Sequence, residues 1–153
     1  MKKWFLLIVF IILVVGIGSF IGFSTSPASW YAALNKPPFT PPNAFFAPIW
    51  ITLYVLIAIA GWRVYVIDFH KTLWFLWIIQ ILLNFSWSPV FFGMKMMETA
   101  LLICLVLFIT VAGFIILSWK RDRISALMFI PYIIWLGLAN YLNAGVIYLN
   151  IIL

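Results

Sequence analysis

Apolar residues in this chain run on without interruption, neither alternating nor recurring at fixed spacing. Five such runs cover about residues 4–23, 46–66, 72–92, 97–119 and 124–150. A helix needs roughly 20 apolar residues to cross a bilayer, and each run reaches that length. Strands of a membrane barrel would alternate every second residue, so the pattern predicts an all-α integral membrane bundle of five transmembrane helices. It occupies the whole chain, 1–153, as a single domain. The first run follows Lys2-Lys3 and resembles a signal peptide, but signal cores stop at ~7–15 residues, so it is expected to be a retained span. The links after the second, third and fourth runs are short, which predicts antiparallel packing of sequential helices. The first link, about Ser24–Ala47, is long.

Composition supports a lipid-facing surface. Apolar residues make up 67% and charged residues 8%, against ~45–50% and ~25% in soluble domains. The net charge of +6 is not gathered into a stripe that would bind nucleic acid. It is divided between links: Lys2, Lys3, Arg63, Lys71, Lys120, Arg121 and Arg123 on one side, Lys36 and Lys95 on the other. Basic residues concentrate on the cytoplasmic side. The expected orientation therefore has the N-terminus in the cytoplasm, with the first link and C-terminus outside. The expected location is a bacterial plasma membrane. Trp4, Trp74 and Trp119 sit near span ends, as interfacial belts require.

Reactive chemistry is scarce. Asp68, Glu98 and Asp122 all fall at links or span ends, leaving no intramembrane carboxylate for ion coupling. His70 is the only histidine and Cys104 the only cysteine. His70 is expected to be an interfacial residue and Cys104 a small hydrophobe. No metal or haem ligand set is present, no cofactor is expected, and the two halves do not repeat one another.

The spans instead carry aromatic and neutral polar stripes at helical spacing. They are Phe46, Trp50, Tyr54 and Ile57 in the second; Gln80, Asn84, Trp87, Ser88 and Phe91 in the third; and Tyr132, Trp135, Ala139, Asn143 and Val146 in the fifth. Amides are costly against lipid, so these faces should point inward. Each stripe alone is compatible with packing. Together they describe a pocket for a large, flat, apolar ligand. The first link and the residue that follows it, Pro48, hold six of the eight prolines along with Trp30, Tyr31, Phe39, Phe45 and Phe46, which predicts a rigid aromatic lid, or else a structural cap. Gly18 and Gly22 form a GxxxG pair that can seat a close contact within the chain or across a homodimer. Pro89 and Pro131 should kink the third and fifth spans.

Several long motifs resemble the translocator protein family, also called tryptophan-rich sensory proteins or peripheral benzodiazepine receptors. They are Trp30-Tyr31-Ala32-Ala33-Leu34-Asn35-Lys36-Pro37-Pro38-Phe39-Thr40-Pro41-Pro42, then Phe46-Ala47-Pro48-Ile49-Trp50 with Leu53-Tyr54. Asn84-Phe85-Ser86-Trp87-Ser88-Pro89-Val90-Phe91-Phe92 and Pro131-Tyr132-Ile133-Ile134-Trp135, with Ala139 and Leu142-Asn143, complete the set. The resemblance covers nearly the whole chain in order. It implies a five-helix bundle with a cavity under the first loop, binding porphyrins such as protoporphyrin IX and benzodiazepine-type drugs. Carried over by position, the pocket comprises Tyr31, Trp50, Asn84, Trp87, Ser88, Trp135 and Ala139, with Asn143 nearby. Tyr54 and Phe91 join them from the stripes. The family's mammalian sterol motif needs a basic residue near the end of the last span. Nothing after Arg123 is charged, which lowers the case for sterol and points to a prokaryotic member.

The leading expectation is a porphyrin-binding membrane sensor or carrier. The alternatives are light-dependent porphyrin breakdown using Trp50 and Trp135, passive tetrapyrrole or sterol transport, and a structural role. Conventional catalysis is not expected.

Overall fold

The computed structural model describes residues 2–25, 29–67 and 69–152. Ser26, Pro27, Ala28 and Asp68 fall outside them, so the expectations for Pro27 and Asp68 have no structural counterpart. Five long helices dominate: α1 (Lys2–Ser24), α2 (Asn43–Ile67), α3 (Lys71–Gly93), α4 (Met97–Ser118) and α5 (Arg123–Ile152). Their 22 to 30 residues correspond to roughly 33–45 Å of helix, enough to cross a ~30 Å hydrocarbon core. In lipid, helices satisfy every backbone donor and acceptor internally. No strand occurs among the described residues.

The helices close in the order 1–2–5–4–3, with α3 returning to α1. Sequential neighbours pack side by side for α1–α2, α3–α4 and α4–α5. The α2 and α3 backbones approach each other chiefly where the last turn of α2 meets α3. Elsewhere their separation is bridged by long side chains. Trp77 of α3 lies on Gly61 of α2, where a Cβ would collide with the indole, and its Nε1 donates to the Ile57 carbonyl at 2.9 Å.

Only one of the two GxxxG glycines makes a close contact. Gly18 is covered by the Tyr54 ring, so a Cβ there would clash. The contact is therefore within the chain, between α1 and α2. A Cβ on Gly22 would meet nothing within 4 Å. Three of the helices loosen to a wider winding, α2 over Arg63–Ile67, α3 over Pro89–Gly93 and α5 over Tyr148–Ile152. The second begins at Pro89, whose ring cannot continue the ordinary hydrogen-bond ladder. Pro131 lies within the regular part of α5. The α3–α4 turn places its positive φ on Lys95, at 60°, although Gly93 is the residue that accepts such a conformation most readily.

At the end of the bundle bearing the chain's N-terminus, Arg63 and Asp122 form a bidentate pair. Nε donates to Oδ2 at 3.0 Å and Nη2 to Oδ1 at 2.8 Å. Asp122 also caps α5, accepting from the Ser125 hydroxyl at 2.5 Å and its backbone N–H at 3.4 Å. Burial pushes the Asp122 carboxyl up, but the hydrogen bonds from Arg63 and Ser125 outweigh it and hold the group below its ordinary range. A depressed native pKa stabilises the fold above the unfolded value of about 3.9, and that contribution is lost as pH falls through the native pKa. Asp122→Asn should therefore lower the thermal midpoint at pH 7, with the deficit shrinking as the pH is taken below about 4. A deficit independent of pH would show that the carboxylate's charge contributes nothing.

Candidate functional site

Between α1, α2, α3 and α5, beneath the first loop, lies a cavity of about 500 Å³, within the ~300–1,000 Å³ typical of small-molecule sites. All ten residues expected at the site line it: Tyr31, Trp50, Tyr54, Asn84, Trp87, Ser88, Phe91, Trp135, Ala139 and Asn143. Phe46 and Val146 of the stripes also line it. Ile57, Gln80 and Tyr132 do not; they are fully buried in the helix packing beside it.

The upper wall is aromatic. Trp50 stacks on Tyr54 with centroids 5.5 Å apart and meets Trp135 edge-on at 6.4 Å. Phe46 closes on Trp135 at 5.6 Å. Across the cavity Trp87 lies nearly parallel to Phe91 at 5.0 Å. Tyr31 reaches the same cluster from the loop, edge-on to Phe92 at 5.5 Å.

Most polar groups of the cavity wall are partnered by one another or by nearby backbone. Tyr54 donates to Asn84 Oδ1 at 3.2 Å, and Asn84 Nδ2 donates to the Tyr132 hydroxyl at 2.8 Å. Trp87 Nε1 donates to Asn143 Oδ1 at 3.2 Å, and Asn143 Nδ2 to the Met97 carbonyl at 2.9 Å. Ser88 shares a hydrogen bond with Thr25 at 2.6 Å. Trp135 Nε1 is buried without a partner among the described residues.

Among the described residues no charged one lines the cavity. Lys36 stands beside a lining residue: its Nζ sits 4.8 Å from the centre of the Tyr31 ring and donates to the Leu34 carbonyl at 3.3 Å. Burial raises the Tyr31 phenol above its ordinary value, so this wall stays neutral across physiological pH. His70 caps α3, its Nδ1 accepting from the Leu73 N–H at 3.4 Å. It is not among the cavity residues, so it offers no base to Cys104. Among the described residues no cluster of His, Cys, Asp or Glu could hold a metal. The site has the size and apolar lining to enclose an apolar molecule.

The loop is fastened over the cavity by α5. The Asn150 side chain pairs with both backbone groups of Asn35, each at 2.9 Å. Tyr141 donates to the Pro38 carbonyl at 3.1 Å, and Pro37 presses against Gly145. Within the loop, Trp30–Ala33 forms a helical turn.

Sequence reasoning missed the wall contributed by α1, namely Gly18, Ser19, Ile21, Gly22 and Phe23, and the cavity position of Cys104. Only the GxxxG spacing signalled α1, and it reads equally well as packing. The Cys104 reading as a small buried hydrophobe is compatible with its 2% exposure.

This constellation defines a helical membrane protein with an uncharged aromatic cavity under an ordered loop. The profile of the TspO/MBR family matches residues 8–149. Protein CrtK of Rhodobacter capsulatus is 39% identical over 129 residues, covering 82% of this chain and 81% of that protein. The tryptophan-rich sensory protein of Cereibacter sphaeroides is 36% identical over 124 residues, covering 81% and 78%. The translocator protein of Bos taurus is 33% identical over 140 residues, covering 86% and 82%. The chain belongs to the TspO/MBR family and is an integral membrane protein.

Two substitutions one turn apart on α3 should have opposite signs. Asn84→Leu strands the Tyr54 and Tyr132 hydroxyls and should cost about 1–2 kcal/mol. Gln80 is wholly buried with neither amide atom partnered among the described residues, so Gln80→Met should stabilise by about 1 kcal/mol. Thermal unfolding in detergent reads both, and a lowered midpoint for Gln80→Met would mean that its amide is satisfied.

Proposed function

We propose that this protein is a membrane sensor or carrier that binds porphyrins of the protoporphyrin IX type, and similar flat apolar molecules, in the cavity under the first loop. The ten lining residues named above form the site. One observation carries the reading: a cavity of about 500 Å³ walled by Trp50, Trp87 and Trp135 and free of charge. Flat π systems gain from offset or edge contact with such rings. Relatives named as a sensory protein and a translocator protein support a role in sensing or transport. Without an intramembrane carboxylate, any movement of ligand follows the ligand's own gradient. The five helices act as one domain in a bacterial plasma membrane, with the N-terminus cytoplasmic and the loop outside, as the charge bias favours. Gly18 is occupied by Tyr54, so the reading does not rest on a homodimer through the glycine pair.

A second reading, photo-oxidation of the bound porphyrin, is favoured by the Trp50–Trp135 pair in the cavity wall. The excited ring, held against these two indoles, would lose one electron to dioxygen, leaving an oxidised ring and superoxide. Equal pigment loss under light with wild type and with the Trp50→Phe, Trp135→Phe variant would exclude it.

Titrating protoporphyrin IX into detergent-solubilised protein should quench tryptophan fluorescence saturably. The same double variant should bind at least about tenfold more weakly, the equivalent of ~1.4 kcal/mol lost from two contacts. An unchanged affinity would place the ligand elsewhere.

A further inference from the structure

The cavity wall is unevenly exposed. Every lining residue from α3, α4 and α5 is buried or half-buried. The exposed lining residues all belong to α1, the first loop, or the first three turns of α2. On α1 they include Ser19 and Gly22, one turn apart. On α2 they include Ala47 and Ile51, also one turn apart, with Ile51 47% exposed.

These positions lie at membrane depth. Ser19 is five residues from the end of α1, and Ile51 is eight residues into α2. At 1.5 Å per residue they sit roughly 8 and 12 Å along the axis from the helix ends. Helices of roughly 33–38 Å overhang a ~30 Å hydrocarbon core by only a few ångströms at each end, so both residues face acyl chains.

The gap has a sill and a roof. Below it, Tyr54 seals against Gly18. One turn higher, a Cβ on Gly22 would meet nothing within 4 Å, so this face of α1 is not covered there by α2. Above it, the loop is pinned to α5 by the Asn35–Asn150 pair and Tyr141. On the far flank the Thr25–Ser88 hydrogen bond ties the end of α1 to α3. The open side of the cavity is therefore lateral.

We propose that the ligand reaches the cavity from within the bilayer, through an aperture between the outer halves of α1 and α2 that Ser19, Gly22 and Ala47 keep open by being small. This route rests on the binding reading above. Its occupant is a flat, apolar molecule already dissolved in the leaflet on the loop side. Partitioning concentrates such a molecule in lipid, and the loop need not lift to admit it.

The test mixes proteoliposomes with vesicles preloaded with protoporphyrin IX and follows tryptophan quenching in time; release is followed by adding excess empty vesicles. Gly22→Leu is compared with Gly16→Leu, which adds the same bulk where a Cβ also meets nothing but not in the cavity wall. Asn150→Ala frees the loop. Plugging the aperture slows passage in both directions, so Gly22→Leu should reduce association and release together, each by about tenfold, equivalent to ~1.4 kcal/mol on the barrier. Gly16→Leu and Asn150→Ala should leave the association rate within about twofold of wild type, less than ~0.5 kcal/mol on the barrier. Faster release from Gly22→Leu with unchanged association would indicate damage to the site and overturn the route. So would faster exchange in Asn150→Ala together with wild-type rates in Gly22→Leu, which would place access under the loop. Saturable binding with identical rates in every variant overturns the aperture alone. No saturable quenching in the wild type overturns the binding reading, and the route with it.

Discussion

A single line of contacts crosses the bundle at the level of the cavity floor, and the space above depends on it. Gly18 of α1 receives the ring of Tyr54 on α2. The Tyr54 hydroxyl donates to Asn84 of α3, and Asn84 donates to Tyr132 of α5. Inside a bilayer the helices have no hydrophobic reason to associate, because lipid is as apolar as their side chains. Close packing and a few hydrogen bonds must hold them together. Asn84 spends both ends of its amide on this task, which fixes α2, α3 and α5 relative to one another and leaves a gap above them that rings surround without filling.

The two ends of the bundle use the same residue type differently. Below the floor, tryptophans pack against backbone and one another, two of them donating to backbone carbonyls. Trp62 Nε1 reaches the Lys3 carbonyl at 2.9 Å, Trp77 Nε1 the Ile57 carbonyl, and Trp74 stacks on Trp77 with centroids 5.0 Å apart. Trp4 stacks on Trp62 at 5.7 Å yet remains 66% exposed, as suits a residue at the edge of lipid. Above the floor, Trp50, Trp87 and Trp135 face a cavity. The difference lies in their neighbours. Gly61 gives the Trp77 indole room against α2, whereas Trp50 and Trp135 meet each other edge-on.

Much of this was legible in the sequence, because lipid imposes simple rules. Uninterrupted apolar runs of bilayer length admit only helices, and the five boundaries follow to within a few residues. The cavity residues of α2, α3 and α5 were legible because an amide or an indole on a spanning helix must point inward. Gln80 obeys the same rule yet lies in the packing, because inward-facing is a broader condition than cavity-facing. The α1 wall was not legible, since Gly18, Ser19 and Gly22 carry no group whose placement in lipid is costly. Nor was the Arg63–Asp122 pair, which joins positions 59 apart, or the Asn35–Asn150 clasp, which joins positions 115 apart. Hydrophobic pattern sets which face turns inward but not which polar group on one helix finds which on another.

The closed floor bears on what kind of device this fold makes. Leu53, Ile57, Ile81 and Tyr132 are buried in the helix packing, and among the described residues no charged group lines the cavity itself. Passing a ligand through to the opposite leaflet would require Tyr54 to leave Gly18 and Asn84 to release both tyrosines at once. That leaves buried hydroxyls and an amide unpartnered in a medium that offers no replacement, at a cost of about 1–3 kcal/mol for each group. Holding a ligand in the loop-side half of the bundle requires none of this. The arrangement favours a site that takes up a molecule and returns it to the same side of the membrane over one that conducts it across. A sensing role needs only the former.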